Sequence, residues 1–569
     1  MLVSKKWTVL SGAALSALSV SYASALSIYG TTPYSNSVPG YTGNTATVAS
    51  GGPIAVGTGG VAVGNGRYWF SPPSTNYTTG WILTSSGTIT LGLPAGQPAG
   101  ASGGTPTVVK SIDTNGTLIT GLSQSYEAPG GSSYTNNETV WNTAGVAISL
   151  PAPVTNSLGT APNVGSGLIN NLGTVVGSGT VYNPSTTSAL ATSGAFVWTN
   201  SGTVGSPSYT SYSELLAPNN STGVVATGLR SESVSGISDS GLAVGTGSTY
   251  SGSTATGFVA VTRDTTQTPT PAATTGTTQT TIASSVLTLP VLPATGFGTG
   301  PYSYTSASGT GTAVAKTTAS ANYVNASNVI AGSAVVYNAS SAAPTTGNYT
   351  SIGYEPIVWS GPSATGTFLP FSSSSYNQGN VTGLNALGDA IGSESNTGLQ
   401  QAVLWTKASS YAATVLAAPT GTNPLTSSAY TSYTNVKGVN DADYSVGFLG
   451  SSTGDSTGTN ALLWSPTGSV TDLNTLITET TVASGNAGWV SLLAADSISD
   501  DGWITGVGVY YDPTATGYST AALGSTPGEY YRQFLIQDTA VVPEPASLAT
   551  LVVVAAAGTL RGRRSRRVG

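Results

Sequence analysis

The chain has 569 residues, of which 7% are charged, 39% are hydrophobic and 74 are glycine. Cysteine and histidine are both absent, which excludes disulfides and thiolate chemistry and removes the usual zinc and iron ligands and the commonest general base. We therefore expect a protein that is not an enzyme. The hydrophobic fraction and the recurrent aromatic residues predict a packed body rather than a disordered chain.

The formal net charge of −7 hides a more acidic body, because seven of the 15 basic residues lie near the two ends of the chain. The rest of the chain carries 8 Lys and Arg against 22 Asp and Glu, a net charge of −14. A body this acidic repels nucleic acid, so we expect no DNA- or RNA-binding activity.

Residues 1–25 have the three parts of a secretory signal peptide. Two lysines precede a mostly apolar run over residues 7–20, and the small residues Ala23 and Ala25 occupy positions −3 and −1 of a cleavage site. We predict a signal helix that the secretion translocon recognises and that is cleaved after Ala25.

Two short phrases recur through the middle of the chain. The first is an apolar residue, a polar turn of Asn, Asp, Ser and Gly, and then in most copies an apolar residue followed by Gly; copies begin at Ile112, Ile169, Ile237, Val324, Leu384, Val439 and Ile498, and a fainter copy ends at Gly64. The second is a short apolar run that ends on an aromatic residue: Trp141, Trp198, Trp359, Trp405 and Trp464, with variants at Phe258 and Phe534. The first phrase predicts a strand, a tight turn and a returning strand, and the second predicts a buried strand.

The spacing of the first phrase indicates the architecture. Its closing glycines are 55 to 68 residues apart, except for one interval of 87 that contains a Thr/Pro-rich insert at 264–281, predicted as a linker or loop. A unit of about 55–60 residues holds four short strands. We therefore predict an all-β, seven- or eight-bladed β-propeller over residues 26–541, with a β-solenoid or tandem β-sandwiches as alternatives.

The tryptophans separate into two groups. Those of the second phrase have a fixed place in the repeat, which favours packing between blades. Trp69, Trp81, Trp489 and Trp503 lie outside that place, and we expect only these to be available for surface contact with sugar rings.

Carboxylates are the remaining candidates for chemistry. Asp441 and Asp443 form the densest acidic turn and are the best candidates for calcium ligands, although a calcium loop uses more oxygen ligands than two and Asp also favours turns by itself. No local pattern identifies a carboxylate pair for glycoside hydrolysis or a Ser–Lys nucleophile. We predict no catalytic residue and no cofactor, and a turn-forming role for the two aspartates, with calcium binding as the alternative.

Residues 542–569 form a separate segment. Pro543, Glu544 and Pro545 are followed by the uncharged, mostly apolar Leu548–Leu560 and by the basic cluster Arg561–Arg567. Thirteen residues fall short of the roughly 20 that cross a bilayer comfortably, so we predict a hydrophobic helix in transient membrane contact with its arginines in the cytoplasm. A plain membrane anchor is the alternative.

This tail resembles the PEP-CTERM sorting signal, in which a Pro-Glu-Pro triplet precedes a short hydrophobic helix and a basic tip. The resemblance implies recognition by an exosortase-like sorting enzyme and delivery to the cell envelope, the cell surface or an extracellular polysaccharide matrix. The repeated phrases resemble the HAF-type extracellular repeat, best at Ala402–Trp405 and Ala461–Trp464. This second resemblance implies a propeller-like extracellular module and no particular reaction.

Three functional hypotheses follow from the sequence. The first is an exported, non-enzymatic structural or adhesive protein of the cell surface or matrix. The second is a propeller that binds glycans, with extracellular polysaccharide as its partner. The third is a carbohydrate-active enzyme that uses paired carboxylates brought together by the fold.

Overall fold

The strands of the computed structural model follow the two repeated phrases. The structure describes residues 28–30, 46–69, 76–95, 107–126, 134–151, 164–182, 189–215, 228–251, 254–267, 270–271, 280–281, 285–288, 305–306, 309–310, 312–339, 350–396, 398–423, 425, 428–431, 433–450, 458–477, 488–511 and 529–538. The predicted signal helix and hydrophobic helix, with Ala23, Ala25, Pro543, Glu544 and Pro545, lie outside these residues. Within the described part of the chain, no helix is both long enough and apolar enough to cross a bilayer.

Eight antiparallel sheets of four principal strands form the eight blades of a β-propeller. We call the strands of a blade a, b, c and d from the axis outward. Blade 1 contains β2 Ala46–Gly57, β3 Val61–Trp69, β4 Asn76–Thr84 and β5 Gly87–Thr90, and blade 2 contains β6 Thr107–Ile112, β7 Leu118–Tyr126, β8 Tyr134–Asn142 and β9 Ala147–Ser149. Blade 3 contains β10 Val164–Ile169, β11 Val175–Tyr182, β12 Ala189–Trp198 and β13 Ser213–Leu215, and blade 4 contains β14 Gly228–Ile237, β15 Leu242–Ser251, β16 Thr254–Asp264 and β19 Ser285–Val286.

The second half of the chain repeats this arrangement. Blade 5 contains β22 Thr312–Val324, β23 Ile330–Ala339, β24 Thr350–Trp359 and β25 Thr367–Phe368, and blade 6 contains β26 Gln378–Leu384, β27 Ala390–Asn396, β28 Leu399–Trp405 and β29 Ala413–Leu416. Blade 7 contains β30 Tyr433–Val439, β31 Ser445–Gly450, β32 Asn460–Trp464 and β33 Val470–Asp472, and blade 8 contains β34 Gly488–Ile498, β35 Trp503–Tyr511, β36 Glu529–Gln537 and β1 Ile28–Gly30. Short 3₁₀ helices lie at Thr58–Gly60, Lys407–Ser409 and Leu473–Leu476.

The ring closes through the first strand of the chain. β1 is the d strand of blade 8 and pairs antiparallel with β36, so that Ile28 lies opposite Ile536. The a strand of every blade contacts the a strand of the next, including blade 8 with blade 1. The prediction of a propeller is therefore confirmed with eight blades, and the solenoid and tandem-sandwich alternatives are wrong because neither closes on itself.

The Thr/Pro-rich insert lies beside blades 3 and 4. Its first residue, Asp264, ends β16, and its short strands β17 (Thr270–Pro271) and β18 (Thr280–Thr281) extend the sheet of blade 3 at its outer edge. Another short pair, β20 (Thr305–Ser306) with β21 (Gly309–Thr310), precedes blade 5.

A close backbone contact explains why the first phrase closes on glycine. The a strand carries a β-bulge opposite the b strand, which brings an a-strand carbonyl close to the glycine. A Cβ on Gly392 would overlap the carbonyl oxygen of Asn380, and one on Gly447 would overlap that of Asn435. Gly121, Gly245, Gly332 and Gly506 have the same relation to their own a strands.

The tryptophans of the second phrase join neighbouring blades. All five are fully buried on c strands, and each indole Nε1 donates a hydrogen bond to a carbonyl just beyond the d strand of the preceding blade. For Trp405 the acceptor is the Pro370 oxygen at 2.8 Å, and for Trp464 it is the Ala417 oxygen at 2.8 Å. The prediction that these tryptophans pack between blades is confirmed.

The expectation that the other tryptophans are exposed is wrong for three of them. Trp81, Trp489 and Trp503 are only 4%, 9% and 8% exposed. Trp503 packs against Tyr29 of β1 and Trp489 against Phe534, so both belong to the core of blade 8. The repeat misled the prediction because these side chains fill interior positions other than the one the second phrase marks. Trp489 and Trp503 lie on the a and b strands of blade 8, and Trp81, on the c strand of blade 1, donates its Nε1–H to Gln533 Oε1 of blade 8 at 2.5 Å. The side chain of Trp69 lies outside the described part of the structure.

Candidate functional site

The turns between the a and b strands all lie at one end of the propeller, where they form what we call the turn ring (residues 57–60, 113–116, 170–173, 238–241, 325–328, 385–388, 440–443 and 499–502). In most copies the first polar residue caps its own turn. Asn385 accepts the N–H of Asp389 at 2.8 Å, and its Nδ2 donates to the Asn440 oxygen of the next blade at 3.1 Å. The last residue is usually a glycine with positive φ, for example Gly388 at 93°, because the chain turns there in the left-handed region.

Hydrogen bonds connect the turn ring across all eight junctions between blades. Four of these junctions use an aspartate that accepts a backbone N–H of a neighbouring turn: Asp239 from Asn171 at 2.9 Å, Asp441 from Ala386 at 2.8 Å, Asp500 from Asp441 at 2.9 Å, and Asp501 from Gly59 at 2.7 Å. The last of these joins blade 8 to blade 1. The polar turn phrase therefore holds the blades in register around the axis.

The two acids considered as alternative calcium ligands belong to this ring. Asp441 accepts the Ala386 N–H at 2.8 Å, and Asp443, at a φ of 61°, accepts from Asn385 Nδ2 at 3.0 Å. Burial and the neighbouring Asp389 carboxylate raise the pKa of Asp443 to about 6. Among the residues that the structure describes, no group of three or more acidic side chains is placed to hold a metal ion. Both aspartates join blade 6 to blade 7.

A second ring of residues borders the axis. Seven of the a strands carry their β-bulge three residues before the turn, which leaves one residue of each strand outside the regular pairing. These residues are Ile54, Lys110, Ser235, Asn322, Thr382, Lys437 and Asp496. In Asp496 burial raises the pKa to about 6, and the positive charge of Lys437 opposes this rise. Sequence reasoning missed this ring, because a bulge is visible only once the strands are paired.

Glu138 is a buried acid in the seam between blades 2 and 3. It is 4% exposed, and neither carboxyl oxygen has a hydrogen-bond partner among the described residues. Gly167 of blade 3 makes room for it, because a Cβ there would lie 2.7 Å from Glu138 Oε2. Burial raises the pKa of Glu138 to about 8, and the positive charge of Lys110 opposes this rise. The carboxyl group is thus mostly protonated at neutral pH.

The sequence distinguishes Glu138 from the residues at the same position in other repeats, a signal that sequence reasoning missed. It stands three residues before Trp141, where blades 3, 6 and 7 have the fully buried alanines Ala195, Ala402 and Ala461. A charged residue in place of a buried alanine marks a departure from the repeat.

The end of the propeller opposite the turn ring carries tyrosines. We call it the hairpin face, since each b strand ends there and each c strand begins there. Tyr68 pairs with Tyr77, Tyr126 with Tyr134, and Tyr510 with Tyr530. Tyr182, Tyr250 and Tyr337 occupy the same end of the b strands in blades 3, 4 and 5. Six blades therefore bring tyrosine to one face of the protein.

No protein-family model and no curated protein sequence matches the chain. Its fold is similar to that of solved structures at low identity. A prolyl endopeptidase structure has a TM-score of 0.27 and 11% identity over 74% of this chain and 54% of its own, so the chain spans about half of that protein. Polysaccharide lyase Uly1 has a TM-score of 0.32 and 7% identity over 90% of both chains. An α-L-arabinanase of Penicillium chrysogenum has a TM-score of 0.22 and 10% identity over 63% of this chain and 94% of its own.

The expectation that the protein is not an enzyme is corrected here. All three similar structures are of enzymes by name. The deduction from composition is also too strong, because two carboxylates are sufficient for glycoside hydrolysis and neither histidine nor cysteine is required. The missing residue types therefore do not exclude catalysis.

Proposed function

We propose that this protein is an exported protein of the cell surface or extracellular matrix whose propeller binds a polysaccharide at the hairpin face. The observation that carries the proposal is the repetition of tyrosine at that end of six blades. Tyrosine offers a flat apolar ring for stacking and a hydroxyl group for hydrogen bonding. Those two features match a sugar ring, which has apolar faces and a polar edge.

The charge of the protein limits the kind of polysaccharide. With 8 basic and 22 acidic residues outside the terminal basic clusters, the body repels anionic polymers. We therefore propose a neutral polysaccharide as the ligand. An anionic polysaccharide is an alternative that would require bridging cations, and its binding would depend on calcium.

The destination is proposed from the two terminal segments. The signal peptide with Ala23 and Ala25 takes the chain to the translocon, and an exosortase-like enzyme reads Pro543, Glu544 and Pro545 while Leu548–Leu560 contacts the membrane. These residues lie outside the described part of the structure, and the support for their role is their order along the sequence.

A glycan array probed with the mature protein tests the proposal, with and without calcium. We expect binding to neutral polysaccharides in both conditions, and its loss when Tyr511 and Tyr531, both half-buried at the hairpin face of blade 8, are changed to alanine. Tyr411→Ala, which removes a half-buried tyrosine between β28 and β29 at the other end of blade 6, is the matched control. Equal binding by all variants, or no binding at all, would contradict a hairpin-face site. Release of reducing ends from a bound polysaccharide would add catalysis to binding.

A further inference from the structure

Both ends of the propeller leave the fold at one place. β1 begins at Ile28, which lies opposite Ile536, one residue before β36 ends. Asp538 then donates its N–H to the Gly502 oxygen at 2.9 Å, in the turn ring of blade 8. The chain therefore enters β1 and leaves β36 on neighbouring strands, at the turn-ring end.

The connections from this point to the predicted membrane segments are short. Ile28 lies three residues after Ala25, at most about 10 Å of chain, and Leu548 lies ten residues after Asp538, at most about 35 Å. The nine residues of β35 place the hairpin face of blade 8 roughly 30 Å further from the turn ring. The N-terminal segment, when held in a membrane, keeps the turn ring closer to that membrane than the hairpin face, because its link is much shorter than the blade. The C-terminal segment favours the same arrangement whenever its link is not fully extended.

The charges of the turn ring indicate how it meets a bilayer. Asp239, Asp441, Asp500 and Asp501 are all on this end, and an anionic lipid surface repels them. The ring is therefore held near the membrane by the chain ends rather than by adhesion of its own surface.

We infer that the membrane-held protein is oriented with its turn ring toward the bilayer and its hairpin face away from it. This orientation rests on the proposed function for its two membrane segments. It does not depend on glycan binding. It presents the tyrosine-bearing face outward, toward polymer in the surrounding matrix, while the protein is still attached.

Blade 6 offers a matched pair of positions for the test. Leu387 in the turn ring is 56% exposed, and Leu399 at the hairpin face is 45% exposed, at opposite ends of β27 and about 20 Å apart. The chain has no cysteine, so Leu387→Cys and Leu399→Cys each introduce a single thiol. Both leucines are exposed, and circular dichroism checks that both variants retain the fold.

The full-length variants are incorporated into phosphatidylcholine vesicles, recovered by flotation and treated with a polyethylene-glycol maleimide too large to pass under a protein close to the bilayer. We expect the thiol of Leu399→Cys to react several-fold faster than that of Leu387→Cys in vesicles, and the two rates to become similar in detergent. The same rate ratio in vesicles and in detergent would overturn the orientation, and so would a chain that fails to float with the vesicles. Loss of glycan binding alone would refute the glycan proposal and leave the orientation standing.

Discussion

Glu138 gives the sharpest test of the structure, because its carboxyl group is buried between blades 2 and 3 without a hydrogen-bond partner among the described residues. A rise of its pKa from 4.5 to about 8 means that ionisation opposes folding. Because the folded pKa lies above the unfolded one, the free energy of unfolding is highest below about pH 4.5, where the carboxyl group is protonated in both states. It then falls progressively as the pH rises and stops falling once the pH passes about 8.

The size of the effect follows from the same two pKa values. A difference of this size corresponds to about 5 kcal/mol of unfolding free energy, as an upper limit, or about 1.4 kcal/mol for each pH unit inside the window. Between pH 6 and 8 the wild type should lose about 2 kcal/mol relative to a Glu138→Gln variant, which cannot ionise, because the loss becomes less steep as the pH reaches the folded pKa. Asp443 and Asp496, with pKa values near 6, contribute mainly below this range.

The measurement is urea-induced unfolding at half-unit steps from pH 6 to 8, followed by tryptophan fluorescence for wild type, Glu138→Gln and Glu138→Ala. The alanine variant is the matched control, since blades 3, 6 and 7 already have alanine at this position. Both variants should show the same flatter pH profile. Lys110→Met should extend the wild-type loss to higher pH, because it removes the charge that favours the ionised carboxylate and so raises the pKa of Glu138 further. Parallel profiles for wild type and Glu138→Gln would refute this reasoning.

Three further predictions concern the repeat and the chain ends. Trp405→Ala and Trp464→Ala should each lower the free energy of unfolding, measured by chemical denaturation, by about 3–5 kcal/mol. Trp503→Ala should produce a loss of similar order, because all three side chains are buried. A negligible loss for Trp503→Ala would place that side chain on the surface. Gly447→Ala should destabilise by more than about 1 kcal/mol because its Cβ meets the Asn435 carbonyl, whereas the exposed Gly398→Ala, at a φ of 78° but with open space, should cost less in the same assay. Intact mass of the mature protein should show a chain that begins at Leu26 and lacks Arg561–Arg567, and alanines at Pro543, Glu544 and Pro545 should trap a membrane-bound precursor; arginines retained on fully localised protein would leave a simple anchor instead.

The direction of the Lys110→Met shift depends on the sign of the interaction, which separates an electrostatic effect from a packing effect. Removing a positive charge near an acid stabilises the protonated form, so the acid ionises at a higher pH in the folded protein. The unfolded pKa is unchanged, and the loss of stability therefore continues to a higher final pH and becomes larger in total. A variant that merely loosened the seam would lower stability equally at every pH.

The sequence by itself determined the repeat and therefore the class of fold. Turns such as Asn385–Gly388 depend on local hydrogen bonds and on a last residue in the left-handed conformation, and both are determined by residues that are neighbours in the sequence. The spacing of Trp405 and Trp464 likewise indicated a buried strand in each unit. These features act over a few residues, so a pattern in the sequence predicts them.

Only the tertiary structure decided how the units close and what lies between them. Ile28 and Ile536 are 508 residues apart along the chain, and their pairing makes the eighth blade. Trp503 is buried because β1 supplies Tyr29 beside it, and Glu138 is isolated because Gly167 of another blade leaves space for it. Such contacts depend on the relative placement of distant strands, and burial and pKa depend in turn on everything that the placement brings near.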